Sequence, residues 1–332
     1  MVRHSFMSLV LFAIALFLLQ VQSSPFVFQK RGICATEDPD ASFLNALQQV
    51  KVDEAHPDPT ASQARQAPIE IETWFHIVSS HAEVDQVTDY MINSQVCLQM
   101  PISLGSSVVN YPQLSILQDA YEDAAIHYRL QGVTHHVNDL WAQDGDDLAM
   151  KQALRKGSYR TLNVYFQTDL QASPGQAGRA EHRGASQSNY LASSVLGFCT
   201  LPDPSVNASS PRPDYVKDGC NILAKTMPGG SLDLYNRGGT AIHEIGHWNG
   251  LLHTFQGESC SASNPGDYIS DTPQQSTPTD GCPTQKDSCP DSPGFDAVHD
   301  FMDYSSDVCY ESFTPGQMNR MRNMWVTMRQ GK

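Results

Sequence analysis

His243-Glu244-Ile245-Gly246-His247-Trp248-Asn249-Gly250-Leu251-Leu252-His253 has the pattern H-E-x-x-H-x-x-G-x-x-H. Residues four apart on an α-helix lie one above the other on one face, so His243 and His247 can offer two imidazole nitrogens to a single ion. Glu244 is too close in the chain to be a comfortable third ligand, but it can reach a water on that ion. Gly250 can adopt the positive φ that ends a helix and turns the chain sharply, which lets His253 swing back as the third ligand. Three protein ligands leave one tetrahedral position to water, the arrangement of a catalytic rather than a closed structural zinc site. Zinc lowers the pKa of that water towards ~7, Glu244 takes its proton, and the oxygen attacks a carbonyl polarised by the metal. A buried helix whose histidines merely pack would leave Glu244 and Gly250 without a role.

Working outward, the N-terminus sets the compartment. Arg3 and His4 precede an unbroken apolar run from Leu9 to Leu19, and Ser23 and Ser24 follow, which is the layout of a signal peptide over residues 1–23. The run is too short to remain as a membrane span. The mature protein is therefore expected to be secreted into the extracellular space, where its eight cysteines can persist as disulfides. A net charge of -15 and a pI near 5.1 argue against nucleic acid or an anionic membrane as partner. Asn207-Ala208-Ser209 is a glycosylation sequon set among prolines, and the sequence is compatible with its being occupied or vacant.

Val52 to Pro68 combines prolines with Ala, Ser and Gln and has no apolar periodicity, so it reads as a linker. The expected organisation is a signal peptide over 1–23, a pro-segment and linker over 24–68, and one catalytic domain over 69–332. Ile69, Ile71, Thr73, Phe75 and Ile77 alternate as a strand, as do Ile126, Tyr128 and Leu130, and Leu162, Val164 and Phe166. Helices are expected around Pro112 to Asp123 and over Asp144 to Lys156, the second with Leu148, Ala149 and Leu154 on one side. Thr314 and Pro315 supply an N-cap and first-turn proline for a terminal helix whose Met318, Met321, Met324 and Trp325 serve as core. His135 and His136 would point to opposite sides of a strand, and His76, His81 and His127 are isolated, so all five read as structural. Strands alternating with helices, then a loop-rich tail after His253, predict an α/β layer above an irregular lower part that closes a cleft.

The segment His299-Asp300-Phe301-Met302-Asp303-Tyr304-Ser305-Ser306-Asp307-Val308-Cys309 resembles the Met-turn of the metzincins. Together with Phe313-Thr314-Pro315-Gly316-Gln317 it is similar to the pappalysin family, and within it to secreted fungal-type metalloproteases. Asp144-Gly145-Asp146-Asp147-Leu148-Ala149-Met150-Lys151, Lys156-Gly157-Ser158-Tyr159 and Met227-Pro228-Gly229-Gly230 extend the resemblance over most of Ile69 to Gln317. Tyr90 to Tyr111 departs from the pattern. The resemblance implies a metzincin-like α/β (α+β) fold: a twisted mixed sheet with the active-site helix in an upper subdomain, and an irregular, disulfide-rich lower subdomain. It also implies a zinc endopeptidase acting on proteins or peptides.

By the same resemblance, Met302 is an apolar floor beneath the zinc site and Tyr304 an oxyanion donor. Asp307 matches a position at the bottom of the pocket for the residue after the scissile bond, where a carboxylate favours Arg or Lys; the bland alternative is a solvated loop aspartate. Cys260, Cys282, Cys289 and Cys309 allow three pairings, of which the resemblance favours Cys260 with Cys289 and Cys282 with Cys309. Cys199 and Cys220 flank the sequon loop and are expected to pair. Cys34 resembles the pro-segment cysteine whose thiolate silences the zinc; the competing reading is a disulfide between Cys34 and Cys97. Release of the segment would follow cleavage before Arg65 or after Lys30-Arg31, and only the first cut detaches Cys34. Some relatives bind calcium at positions matching Asp267 and Thr272, within Gly266 to Thr272, although such an acidic loop can also simply be solvated. A catalytically silent, zinc-stabilised secreted binding module is the rival reading. Retention of Glu244 and Tyr304 speaks against it, since zinc binding alone requires neither. A zinc hydrolase of non-peptide substrates also fits the motif chemistry.

Overall fold

The computed structural model describes residues 34–55, 67–95, 116–171 and 195–332. The expected signal peptide, both processing sites, Cys97 and the stretch 96–111 lie outside them. Five strands form one sheet: β1 (Ile69–Ser79), β2 (Ile126–Val137), β3 (Leu162–Gln167), β4 (Gly197–Cys199) and β5 (Cys220–Leu223), in the order β2-β1-β3-β5-β4. The pairs β1–β2, β1–β3 and β3–β5 are parallel, whereas β4 is antiparallel to β5. The alternation in β1 is real at its start, where Ile69, Ile71 and Thr73 are buried and Glu70 and Glu72 exposed. From Phe75 onward every residue is buried, as in a parallel strand covered on both faces.

The described helices of seven residues or more are α1 (Ala41–Ala55), α2 (Asp89–Gln95), α3 (Ile116–Glu122), α4 (Asp147–Leu154), α5 (Gly239–Trp248) and α6 (Pro315–Met324). Short helical turns lie at Asp139–Ala142 and Arg212–Tyr215. Two expectations need correction. The helix within Asp144 to Lys156 begins only after Asp146, which caps it, because Asp144 sits at φ 62 in the preceding turn. Its buried face carries Met150, Lys151 and Leu154 rather than Leu148, which is 40% exposed. Met150 and Leu154 stand four apart and define the inner face, while Leu148 lies round the helix from them. The linker also starts later than its composition implies, since Val52 to Ala55 are the last turn of α1.

The main core lies between sheet and α5: Ile71, Phe75, Val164, Phe166 and Ile222 share one cluster with Ile242, Ile245 and Trp248. All residues of α5 are buried, so its polar side chains sit in a low-dielectric interior. Gly250 ends the helix at φ 93, with Leu251 N–H bonding to Gly246 O at 3.0 Å and Gly250 N–H to His247 O at 2.8 Å. This is a Schellman closure. A Cβ at Gly250 would lie 2.7 Å from Met324 Cγ, so α6 packs directly on the turn. Helix α6 opens with the expected Thr314 cap, reinforced by a capping box with Gln317. Beyond Leu252 the chain is largely irregular and is tied by the disulfides Cys260–Cys289 and Cys282–Cys309, while Cys199–Cys220 joins β4 to β5.

Candidate active site

Helix α5 and its closing turn bring His243, His247 and His253 to one point. His247 Nε2 lies 3.2 Å from His243 Nε2 and 3.1 Å from His253 Nε2. The Nδ1 atoms of His243 and His247 bond to the carbonyls of Phe301 and Leu251, at 2.7 and 2.8 Å, which requires Nδ1–H and leaves each Nε2 with its lone pair. Burial pushes His243 down to about 4 and, with the neighbouring imidazoles, holds His247 and His253 well below the usual range, so all three are neutral. Facing lone pairs at this separation repel unless a cation lies among them. Zinc–nitrogen bonds at tetrahedral angles would set ligand nitrogens about 3.3 Å apart, so the donor set fits the metal.

Glu244 projects beside this group and is fully buried. Burial lifts its carboxyl to about 8, against the opposing hydrogen bonds from Cys34 and Thr36. A divalent cation among the imidazoles acts in the opposite sense and favours the carboxylate. Met302 is also fully buried, and a Cβ at Gly246 would lie 2.5 Å from its Sδ; the turn bearing Met302 can therefore touch α5 only because residue 246 is glycine. The Tyr304 ring packs on His253 and Phe255, with centroids 5.0 and 4.8 Å away, and burial keeps its phenol protonated.

Cys34 is a free thiol, and its Sγ lies within 4.8 Å of the three imidazole donor atoms. The segment bearing it runs parallel to β4, with Cys34 bridged to Gly197 and Ala35 N–H bonded to Gly197 O at 2.9 Å. Cys34 Sγ donates to Glu244 Oε2 at 3.4 Å, and Thr36 Oγ1 donates to the same oxygen at 3.0 Å. Thr36 was not singled out by the sequence: nothing in its spacing announces a bond spanning most of the chain.

Asp307 is not a solvated loop residue. Its Oδ2 accepts from Arg237 N–H at 2.7 Å and Gly239 N–H at 3.3 Å, where α5 begins, while Oδ1 is buried without a partner. Burial raises this carboxyl to about 6. Asp267 Oδ2 and Thr272 Oγ1 are likewise buried without a well-formed hydrogen bond. Asn207 is exposed, in a tight loop closed by Ser209 N–H on its Oδ1 at 2.9 Å. His76 is a satisfied core residue, bonded to Thr134 and Asn163 and stacked on Tyr165. Among the described residues no helix is long and apolar enough to cross a membrane.

The pappalysin family model, described as pregnancy-associated plasma protein-A, matches residues 226–326. An extracellular metalloprotease of Aspergillus oryzae is 57% identical over 320 residues, 95% of this chain and 95% of the relative. One from Aspergillus fumigatus is 59% identical over 312 residues, covering 92% and 91%, and one from Neurospora crassa is 39% identical over 294 residues, covering 88% and 87%. Among solved structures, mature mirolysin of Tannerella forsythia in complex with a cleaved peptide has a TM-score of 0.52 at 22% identity, covering 80% of this chain and 97% of that one. Mirolysin in complex with a small compound gives a TM-score of 0.55 at 21% identity, covering 80% and 94%. The structural neighbours establish the shared fold, and the high-identity relatives establish the lineage: the chain belongs to the pappalysin family, among its secreted extracellular metalloendopeptidases.

Proposed function

We propose that this metalloendopeptidase is made as a zymogen, with a signal peptide at 1–23, a pro-segment and linker at 24–68 and a catalytic domain at 69–332, and that His243, His247 and His253 hold zinc. The observation that carries the reading is the meeting of three neutral Nε2 atoms, 3.1 and 3.2 Å apart, beside a buried carboxylate. Zinc, when bound, is a Lewis acid that polarises the scissile carbonyl and acidifies water. Glu244 is the base that accepts the proton water gives up and passes it to the departing amine. Tyr304 keeps its phenolic proton and can donate to the oxygen on which charge develops. Met302 closes the floor from below.

Protein or peptide chains are the substrates. Asp307 Oδ1, buried and unpartnered, supports a preference for Arg or Lys after the scissile bond, because a basic side chain would supply the donor it lacks. The position of Cys34 Sγ among the imidazoles supports its role as the switch that keeps the zymogen silent. The buried oxygens of Asp267 and Thr272, which have no well-formed hydrogen bond, support a calcium site. The exposure of Asn207 supports glycosylation there.

The test is digestion of a proteome-derived peptide mixture by the purified mature protein, freed of its pro-segment, beside a Glu244→Ala control, with product termini read by mass spectrometry. Cleavage reduced at least 100-fold in the control supports Glu244 as the base. Equal cleavage in both overturns it, and product termini without Arg or Lys enrichment remove the assignment of Asp307. A Cys34→Ala chain that remains fully latent removes the switch.

A further inference from the structure

Over the imidazoles the segment is held mainly by polar contacts: the Cys34–Gly197 bridge with Ala35 N–H on Gly197 O, the bonds of Cys34 Sγ and Thr36 Oγ1 to Glu244, a 2.9 Å bond from Cys199 N–H to Thr36 Oγ1, and a 3.4 Å bond from Tyr304 OH to Cys34 O. Ala35 alone packs against the Leu196 and Phe198 cluster, and the larger apolar contact is elsewhere. Phe43, Leu47 and Val50 of α1 are at most 3% exposed and form a separate cluster with Leu252, Met324 and Met328. The end of α1 is fixed by charge. Arg320 Nε and Nη2 donate to the two oxygens of Glu54, each at 2.9 Å, and Asn323 Nδ2 donates to Glu54 Oε1 at 3.1 Å. The Arg320 side chain is 1% exposed and that of Glu54 16%, so this pair is shielded from water far more than a surface ion pair.

The two parts are joined by Glu37, Asp38, Pro39 and Asp40 alone. Asp40 caps α1, accepting Phe43 N–H at 2.8 Å. So short a tether, stiffened by a proline and a cap, keeps the Cys34–Thr36 stretch at high local concentration over the metal donors for as long as α1 is seated.

We propose that α1 is a docking anchor: its seating on Leu252, Met324 and Met328, locked by Glu54 on Arg320, determines how long the Cys34–Thr36 plug stays in the cleft. The inference rests on Cys34 being the latency switch and assigns the holding energy to a helix that touches neither the donors nor Glu244. Thr36 is then a second gag, acting on the base while Cys34 acts on the metal.

The experiment uses the full-length, zinc-loaded chain with Glu54→Ala, Val50→Asp or Thr36→Val. The first reading is the rate at which iodoacetamide alkylates Cys34, measured as the mass of the peptide that contains it. The second is cleavage of an unfolded protein. Glu54→Ala and Val50→Asp lie on α1, outside the sheet and α5, and each should raise alkylation at least tenfold; Thr36→Val, with the anchor intact, should raise it less than threefold. Alkylation unchanged in both α1 variants overturns the anchor. Faster alkylation with no rise in protein cleavage supports the anchor and counts against Cys34 as the latency switch, so the two failures are distinguishable.

Discussion

Among the described residues from β1 to α5 the chain is ordered by backbone pairing and apolar spacing, whereas from Thr254 to Ser312 many side chains bond to backbone. In the upper part β1 pairs with β2 along its whole length, and the largest apolar cluster lies against the sheet. In the lower part Asp303 alone accepts from Thr279 N–H, Thr279 Oγ1, Gln275 Nε2 and Tyr304 N–H. Ser276 and Ser288, and Asn264 with Ser259, repeat the pattern. The three imidazoles proposed to hold zinc straddle the two regimes: His243 and His247 stand on the regular helix, and His253 on the first irregular turn. Rigidity at the centre therefore depends on both kinds of bond.

The contrast can be broken at Asp303. Asp303→Ala strands several buried donors and is expected to cost about 4 kcal/mol, seen as a lower urea midpoint, together with loss of activity as Tyr304 drifts. A cost below about 1 kcal/mol would show that the lower part does not depend on this network. The pair Cys282→Ser and Cys309→Ser opens a bridge between residues 27 apart in sequence; about 3 kcal/mol is expected, with near-UV circular dichroism changing before far-UV as the lower part loosens.

Two buried aspartates, one in each half, titrate with opposite sign. In the upper part burial alone would raise Asp218, but Arg329 and Arg155 reverse this and leave it lowered, so its contribution is present above the unfolded value and disappears as pH falls through the folded one. In the lower part burial raises Asp300 to about 7, helped by Asp267 and Asp303 and opposed by bonds from Met302 N–H and Gln317. Its folded form holds a proton that the unfolded chain has released, so stability falls as pH rises from ~4 to ~7, by roughly 3 kcal/mol. Asp300→Asn should flatten that slope; an unchanged slope would remove Asp300 as its source. At the joint between the halves, Gly250→Ala forces a positive φ on a side chain that meets Met324, for a loss of about 2 kcal/mol. Smallest of all, Leu148→Ser on the exposed face of α4 should shift the midpoint by less than about 0.5 kcal/mol; a larger shift would mean that this helix presents another face.

The same contrast explains what could be read from the chain. Ile69 to Ile77 and Leu162 to Phe166 announce strands because alternating apolar and β-branched residues are written in neighbouring positions, although burial alternates only at the start of β1, and His243 to His253 announces a centre because its donors lie within one helix and one turn. The terminal helix is legible from Thr314 and Pro315 for the same local reason. Leu148 misleads because a short amphipathic helix has too few apolar positions to define its face. Thr36 on Glu244, Glu54 on Arg320 and the two amides on Asp307 are invisible in the sequence, since each joins residues that only the folded chain makes neighbours.

Asp307 carries an evolutionary consequence. One of its oxygens secures the amides that begin α5, the other is buried without a partner and is the one proposed to meet a basic substrate side chain, and its own N–H is tied to Leu234 O at 2.9 Å. A lineage that exchanged this carboxylate for a new preference would also strip a favourable anion from the start of the helix bearing His243 and Glu244. Change is cheaper at Leu234, whose side chain is half exposed in a left-handed turn and whose contact with Asp307 runs through its backbone carbonyl. Selectivity in this lineage should therefore drift through the loop at 233–236 while residue 307 stays acidic.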